Sequence, residues 1–307
     1  MALSAVGWSV LIEQQNFAET VSMVTNDNKS VSRGENTIDL DAYLHRIGYD
    51  GSRDTSLEVL NGIVHAHVLT IPFENLDVLM GRPIRLDAAS LQKKLVKDRR
   101  GGYCFEQNGL LLHVLESMGF QVRTLSARVM FGYPRGTITP RTHLVVRVDL
   151  NGNSYLADVG VGGLSPTAVL RLELDTELPT PHETRRIIRE GALYFHQAQL
   201  GGNWEDIYQL TLEEMPLIDR QVANWYTSTH PDSRFRNILM VAKAAPDGVR
   251  LTMLNDEFSI RDAQGYATKY PIGSKKEMLD ILAEHFDMHL PIDSAIKVPA
   301  ISLLRHD

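Results

Sequence analysis

Near residue 120 the apolar pattern changes period, which limits the chain to folds in which helices and antiparallel strands occupy separate stretches. Upstream, Leu40, Tyr43, Leu44 and Ile47 recur at helical spacing and stop at Gly48, and a second helical run over residues 55–69 precedes Pro72. Asp87 or Ser90 can cap a third helix carrying Leu91, Leu95 and Val96. Leu111, Val114, Leu115 and Met118 mark one face of a fourth, ended by Gly119. From residue 121 to about 174 the runs are β-branched, as in Leu144-Val145-Val146-Arg147-Val148, and are bounded by Gly, Pro and Asn. Similar signals at residues 186–194 and 207–212 predict a small antiparallel barrel or sandwich. Residues 249–254 and 258–260 read as paired strands, and Ser274 as the cap of a helix over residues 275–285. Residues 1–34 stand apart as an extension or linker, because an apolar patch at residues 6–12 gives way to Thr25-Asn26-Asp27-Asn28-Lys29-Ser30.

Composition narrows the function classes. The 307 residues are 43% hydrophobic and 22% charged, which suits a globular protein with a sizeable core and excludes a disordered or fibrous chain. A net charge of −7 with scattered Lys and Arg gives no footprint for nucleic acid. No apolar run is long enough to span a bilayer, and the N-terminus lacks a secretory pattern, so a cytoplasmic protein is expected. Self-association into a homo-oligomer is compatible with this composition, and no motif specifies it. The single cysteine, Cys104, rules out an internal disulfide or a multi-cysteine zinc site. His65 with His67, and His285 with His289, lack a third ligand; both pairs are expected on solvated helices, and no metal site is expected.

Cys104 follows Arg100-Gly101-Gly102-Tyr103 and begins an amphipathic helix. At a helix start the unpaired backbone N–H groups and the helix dipole favour an anionic sulfur, the nucleophilic form. Such a nucleophile needs a histidine, and one of the eleven is singled out by strand geometry. Asn151-Gly152 between two strand-like runs predicts a two-residue type I′ hairpin. Leu150 then faces Asn153, and Asp158 faces Val145, which lies on the same strand face as His143. His143 and Asp158 become diagonal neighbours roughly 7–8 Å apart, within reach of an imidazole–carboxylate hydrogen bond. Cys104, His143 and Asp158 together suit acyl transfer through a thioester, by hydrolase or transferase alike. Next to Asp158, the glycines of Gly160-Val161-Gly162-Gly163 would let a ligand approach the backbone and meet a phosphate.

Arg100-Gly101-Gly102-Tyr103-Cys104-Phe105-Glu106, Arg141-Thr142-His143, Ala157-Asp158-Val159-Gly160 and Ile71-Pro72-Phe73-Glu74-Asn75-Leu76 together resemble the arylamine N-acetyltransferases. The resemblance runs from about Ile38 to near the C-terminus. It implies an α+β, cysteine-protease-like fold in three parts: a helical bundle over residues 35–120, a β-barrel over 121–225 and an α/β lid over 226–307. It also implies ping-pong acetyl transfer from acetyl-CoA, a co-substrate with no tightly bound cofactor, to an arylamine or arylhydrazine. Cys104 would carry the acetyl group, His143 would be the base and Asp158 its orienter. Gly160, Gly162 and Gly163 would lie near coenzyme A, and Phe73, Val161 and Phe235 at the acceptor pocket. Many family members have phenylalanine where this chain has Val161, so a wider cleft is expected. An amide synthase releasing a polyketide chain, or a cysteine hydrolase of related fold, would use the same triad.

Overall fold

The structure is a computed structural model and describes residues 38–298, so the expected extension over residues 1–34 lies outside the described residues. The helical stretch contains α1 (Leu40–Ile47), α2 (Leu57–Thr70), the short α3 (Leu76–Leu79) and α4 (Ala88–Leu91), and α5 (Cys104–Ser117). Asp39 and Ser56 cap α1 and α2 by accepting from Ala42 and Val59 N–H, and Gly48 ends α1 in the left-handed region at φ 68°. Asp87, the first of the two expected caps, accepts from Ser90 N at the start of α4, and the helix then widens into a π-helical stretch, Gln92–Lys97.

The strand stretch forms one seven-stranded antiparallel sheet in the order β5-β4-β3-β2-β8-β7-β6. Its members are β2 (Gln121–Val129), β3 (His143–Leu150), β4 (Asn153–Ala157), β5 (Leu170–Arg171), β6 (Arg185–Glu190), β7 (Leu193–Leu200) and β8 (Asn203–Glu214). Bridges from Leu174 to Ile187 and from Leu178 to Arg185 tie the chain after β5 to β6 and nearly close a barrel. The strand signal at residues 186–194 is a hairpin, β6 turning into β7 at Gly191, whose φ of 59° suits glycine. Leu125, Val145, Leu156, Ile187 and Ile207 fill the barrel. Val146 and Val148, on the other face of β3, pack with α1, α2 and α5 residues such as Tyr43, Ile63 and Leu111. Strand alternation thus gives β3 one face for the barrel interior and one for the helices.

After β8 come α6 (Leu217–Thr229) and α7 (Arg234–Asn237), then β9 (Met240–Ala244), β10 (Arg250–Leu254), β11 (Glu257–Arg261), β12 (Ala267–Pro271) and α8 (Lys275–Phe286). The boundary expected between residues 225 and 226 falls inside α6. The second sheet runs β1-β9-β10-β11-β12, where β1 (Phe73–Glu74) comes from the helical stretch and pairs Phe73 with Ala242. Met278, Leu282 and Phe286 of α8 bury one stripe against Val241, Met253 and Phe258 of this sheet.

Candidate active site

The nucleophile loop is held by its contact with the segment leading into β1. Glu74 N–H donates to Gly102 O at 3.1 Å and Gly102 N–H to Pro72 O at 3.3 Å. A Cβ on Gly101 would lie 2.0 Å from Pro72 O, so the two backbones can approach this closely only with glycine there. The chain then enters α5 at Cys104, where Glu106 Oε2 reaches back to accept from Tyr103 N–H at 3.1 Å. Cys104 is 3% exposed, and its Sγ donates to Thr142 O at 3.4 Å.

Behind the helix start lies a buried charge cluster. Lys94 Nζ lies 2.6 Å from Glu106 Oε1 and 2.8 Å from Asp77 Oδ2; Arg100 lies 2.7 Å from Glu74 and 3.2 Å from Asp77. Burial drives the Glu106 carboxyl up to about 7, against the lowering pull of Lys94. Glu74 also accepts from Leu76 N–H at 2.6 Å, which fixes the turn after β1.

The Asn151-Gly152 turn has positive φ at both residues, 50° and 76°, as a type I′ hairpin requires, and Leu150 pairs with Asn153 through to Val146 with Ala157. Past the end of that ladder, His143 Nε2 and Asp158 Oδ2 are 2.7 Å apart and both side chains are buried. Because Nε2 is engaged by Asp158, Nδ1 is the nitrogen left for Cys104. Burial opposes charge on His143, but the Asp158 carboxylate, its hydrogen bond and the nearby sulfur together raise the imidazole to about 10. Burial likewise opposes charge on Asp158, yet His143, Asn108 and the Gly160 N–H hold its carboxyl below the usual range.

Asn108 was not anticipated from the sequence. Its Nδ2 donates to Asp158 Oδ1 at 2.8 Å and to Leu144 O at 2.6 Å, and its Oδ1 accepts from Val159 N–H at 2.9 Å. The available signal was its spacing: four residues after Cys104, it shares a helix face with the nucleophile. Tyr208, also unanticipated, packs its ring 5.2 Å from that of His143 inside the barrel. Gln107 donates to Pro72 O at 2.8 Å and accepts from His67 Nε2 at 2.6 Å, while His67 Nδ1 meets Tyr43 OH at 2.9 Å. His67 is therefore buried and fully engaged rather than on a solvated helix, because α2 is packed on two sides. Among the described residues no group of three or more His, Cys, Asp or Glu is arranged around a metal position, and no helix is long and apolar enough to cross a membrane.

The remaining expected residues divide. Phe73 and Phe235 share a cluster with Cys104 and Tyr103, their rings 6.1 Å apart. Val161 instead packs against the barrel interior. Gly160 is buried: its N–H donates to Asp158 Oδ1 at 2.9 Å, and a Cβ there would lie 2.8 Å from Cys104 Cα. Its backbone N–H is thus directed inward at the triad rather than outward at a ligand. Gly162 and Gly163 are half-buried, facing Phe73 and Thr252 respectively. A cleft of about 440 Å³, with Thr142 on its lining, opens between β8 and α6.

A family profile described as N-acetyltransferase matches residues 56–295. The chain is 40% identical over 257 residues to an arylamine N-acetyltransferase of Mycobacterium tuberculosis, covering 82% of this chain and 90% of the relative. It is 40% identical over 220 residues to the Escherichia coli arylamine N-acetyltransferase, covering 72% and 78%. Among solved structures it resembles Mycobacterium marinum arylamine N-acetyltransferase in complex with CoA, at 40% identity and a TM-score of 0.78, over 81% of this chain and 93% of that one.

Proposed function

The chain belongs to the arylamine N-acetyltransferase family, and from that premise we propose that it moves acetyl from acetyl-CoA to the nitrogen of an arylamine or arylhydrazine by way of acetyl-Cys104. The observation that carries the proposal is the buried His143–Asp158 pair at 2.7 Å beside a cysteine on the first turn of α5. The sulfur attacks the acetyl carbon as thiolate while His143 keeps the proton that Asp158 stabilises. His143 gives that proton to the departing coenzyme A sulfur. In the second half-reaction the amine lone pair attacks acetyl-Cys104, the C–S bond breaks, and the surplus proton of the amine returns to His143. Asp158 orients the imidazole throughout.

The relative solved with CoA supports coenzyme A as the carrier, and we assign its phosphates to the side of Gly162 and Gly163. Phe73 and Phe235 supply apolar surface near the sulfur for an aromatic acceptor, and we place the half-buried Val161 at the same pocket, on the glycine loop that meets Phe73 at Gly162. The same reading takes acetyl-CoA as a co-substrate without a tightly bound cofactor, the enzyme as cytoplasmic, and the chain as helical, barrel and lid parts. The test is the mass of the intact protein after brief exposure to acetyl-CoA. The expected gain of about 42 Da, one acetyl thioester, vanishes on adding aniline and never appears in Cys104→Ala. An unmodified wild-type protein would overturn the proposal.

A further inference from the structure

Two ionisable residues that the reaction does not use lie inside the barrel. Arg185 on β6 and His196 on β7 are fully buried, on the strand faces that carry Ile187 and Ala198 into the barrel core. Arg185 Nη1 lies 3.3 Å from His196 Nε2, and its Nη2 donates to Glu183 Oε2 at 2.8 Å. Glu183 also accepts from Arg250 of β10 and Arg261 of β11, so the guanidinium is anchored to the second sheet. An arginine can only donate, so His196 Nε2 accepts and the imidazole is neutral, with its proton on Nδ1. Burial first, then the Arg185 charge, hold this imidazole well below its ordinary value, in agreement with that assignment. His196 Nδ1 and Arg185 Nε have no hydrogen-bond partner among the described residues. Burying a polar pair this incompletely satisfied costs stability, so packing alone does not account for it.

The contacts of this pair lead to the triad. His196 faces Tyr208 across the β7–β8 ladder, with ring centroids 4.6 Å apart and planes at 64°, and the Tyr208 ring lies 5.2 Å from that of His143 at 43°. Between β8 and β3 runs β2, whose residue level with His143 is Ala127; its single methyl leaves the Tyr208 ring room to reach the imidazole. We propose that His196, held by Arg185, is a positioning residue for the catalytic imidazole and acts through Tyr208, keeping the His143 ring from tilting away from Cys104. Neither residue touches substrate or exchanges a proton. A neutral His196 suits this place, since a second imidazolium there would compete with His143 for Asp158. The inference rests on the acetyl-transfer reading for the reaction it serves, and on the column of rings for its geometry.

The experiment follows two rates. Cys104 is the chain's single cysteine, so its alkylation by iodoacetamide reports the thiolate that His143 maintains, independently of acetyl-CoA, and the burst of coenzyme A release reports the first half-reaction. His196→Ala is expected to slow both about tenfold, since a misplacement of about 1 Å costs about a hundredfold and the loosened ring moves less. His196→Gln, close in size and able to accept from Arg185 through its side-chain carbonyl, should stay within about threefold of the unaltered enzyme. Arg185→Met should slow both rates as His196→Ala does, and the double variant should be no slower than either single one, because the two residues act as one brace. Melting temperatures are measured alongside, and a merely structural role would lower them without moving either rate. Unchanged rates in His196→Ala and Arg185→Met, a loss in His196→Gln as large as that expected for alanine, or losses that multiply in the double variant would each overturn the proposal. If the unaltered enzyme forms no acetyl-Cys104 while alkylation still depends on His196, the acetyl-transfer reading falls and the brace stands.

Discussion

Replacing Asn108 by alanine tests whether the triad is held from the helix side. The amide makes three buried hydrogen bonds, to Asp158 Oδ1, Leu144 O and Val159 N–H, and the residue has no exposed surface through which water could substitute. A bond to a charged group contributes about 1.5–3 kcal/mol and each neutral one about 0.5–1.5 kcal/mol, so the loss is expected near 4 kcal/mol. At roughly 2–4 °C per kcal/mol for a chain of this size, the melting temperature should fall by about 8–16 °C. Asp158 keeps the Gly160 N–H at 2.9 Å and His143 at 2.7 Å, so acetyl-enzyme formation should slow rather than stop, by about tenfold, typical of losing a supporting partner. Asn108→Asp should be worse than alanine, because it sets a second carboxylate against Asp158 in a site without solvent. Urea unfolding and a stopped-flow burst of coenzyme A release read both quantities. A cost under about 1 kcal/mol with an unchanged burst rate would refute the claim that this amide positions the carboxylate.

Gly160→Ala should destabilise the protein by about 1–3 kcal/mol through overpacking, since its Cβ would lie 2.8 Å from Cys104 Cα and 2.9 Å from Asn108 Nδ2; thermal unfolding and acetyl-enzyme yield should fall together. The buried charge cluster should make stability depend on pH in a definite direction. Glu106 is raised from 4.5 to about 7, so its contribution to stability is full below pH 4.5 and is lost as pH rises through 7. Lys94→Met removes the cation 2.6 Å from Glu106, so it should cost about 3–5 kcal/mol at pH 8 and distinctly less at pH 5, measured by urea unfolding at both values. A cost independent of pH would refute the change of Glu106 protonation between these values, because the other carboxylate on Lys94, Asp77 at 2.8 Å, is held below the usual range and stays charged at both.

The hairpin could be read from sequence because a two-residue turn fixes register over its whole ladder, and register alone decides which side chains share a face. That is why His143 and Asp158 could be paired across fifteen positions with no knowledge of the helices. The pairing of β1 with β9 had no such local signal. Phe73 and Ala242 are joined only after the whole barrel has been laid down between them, and two residues of strand carry no period to read. Val161 carries no local signal either: a glycine-flanked residue has no alternation to say which way it faces, and in the structure it is half-buried against the barrel cluster.

The polar residues of α5 were illegible for a different physical reason. Helical periodicity assumes one wet face, and by that rule Glu106, Gln107 and Asn108 would point to solvent. Instead residues 104–112 are buried on every side, so each polar side chain must find a partner inside the protein. They find them in three different directions. Glu106 turns back to Tyr103 N–H and Lys94, Gln107 to the Pro72 carbonyl and His67, and Asn108 to Asp158 and the β3 backbone. One helical turn thereby fastens the nucleophile loop, the helical core and the barrel to the residue that carries the sulfur. Three consecutive polar residues inside a helix start would be costly in a fold that did not use them. Their partners show the use: they fix Cys104 against a histidine contributed by a sheet that no local pattern connects to it.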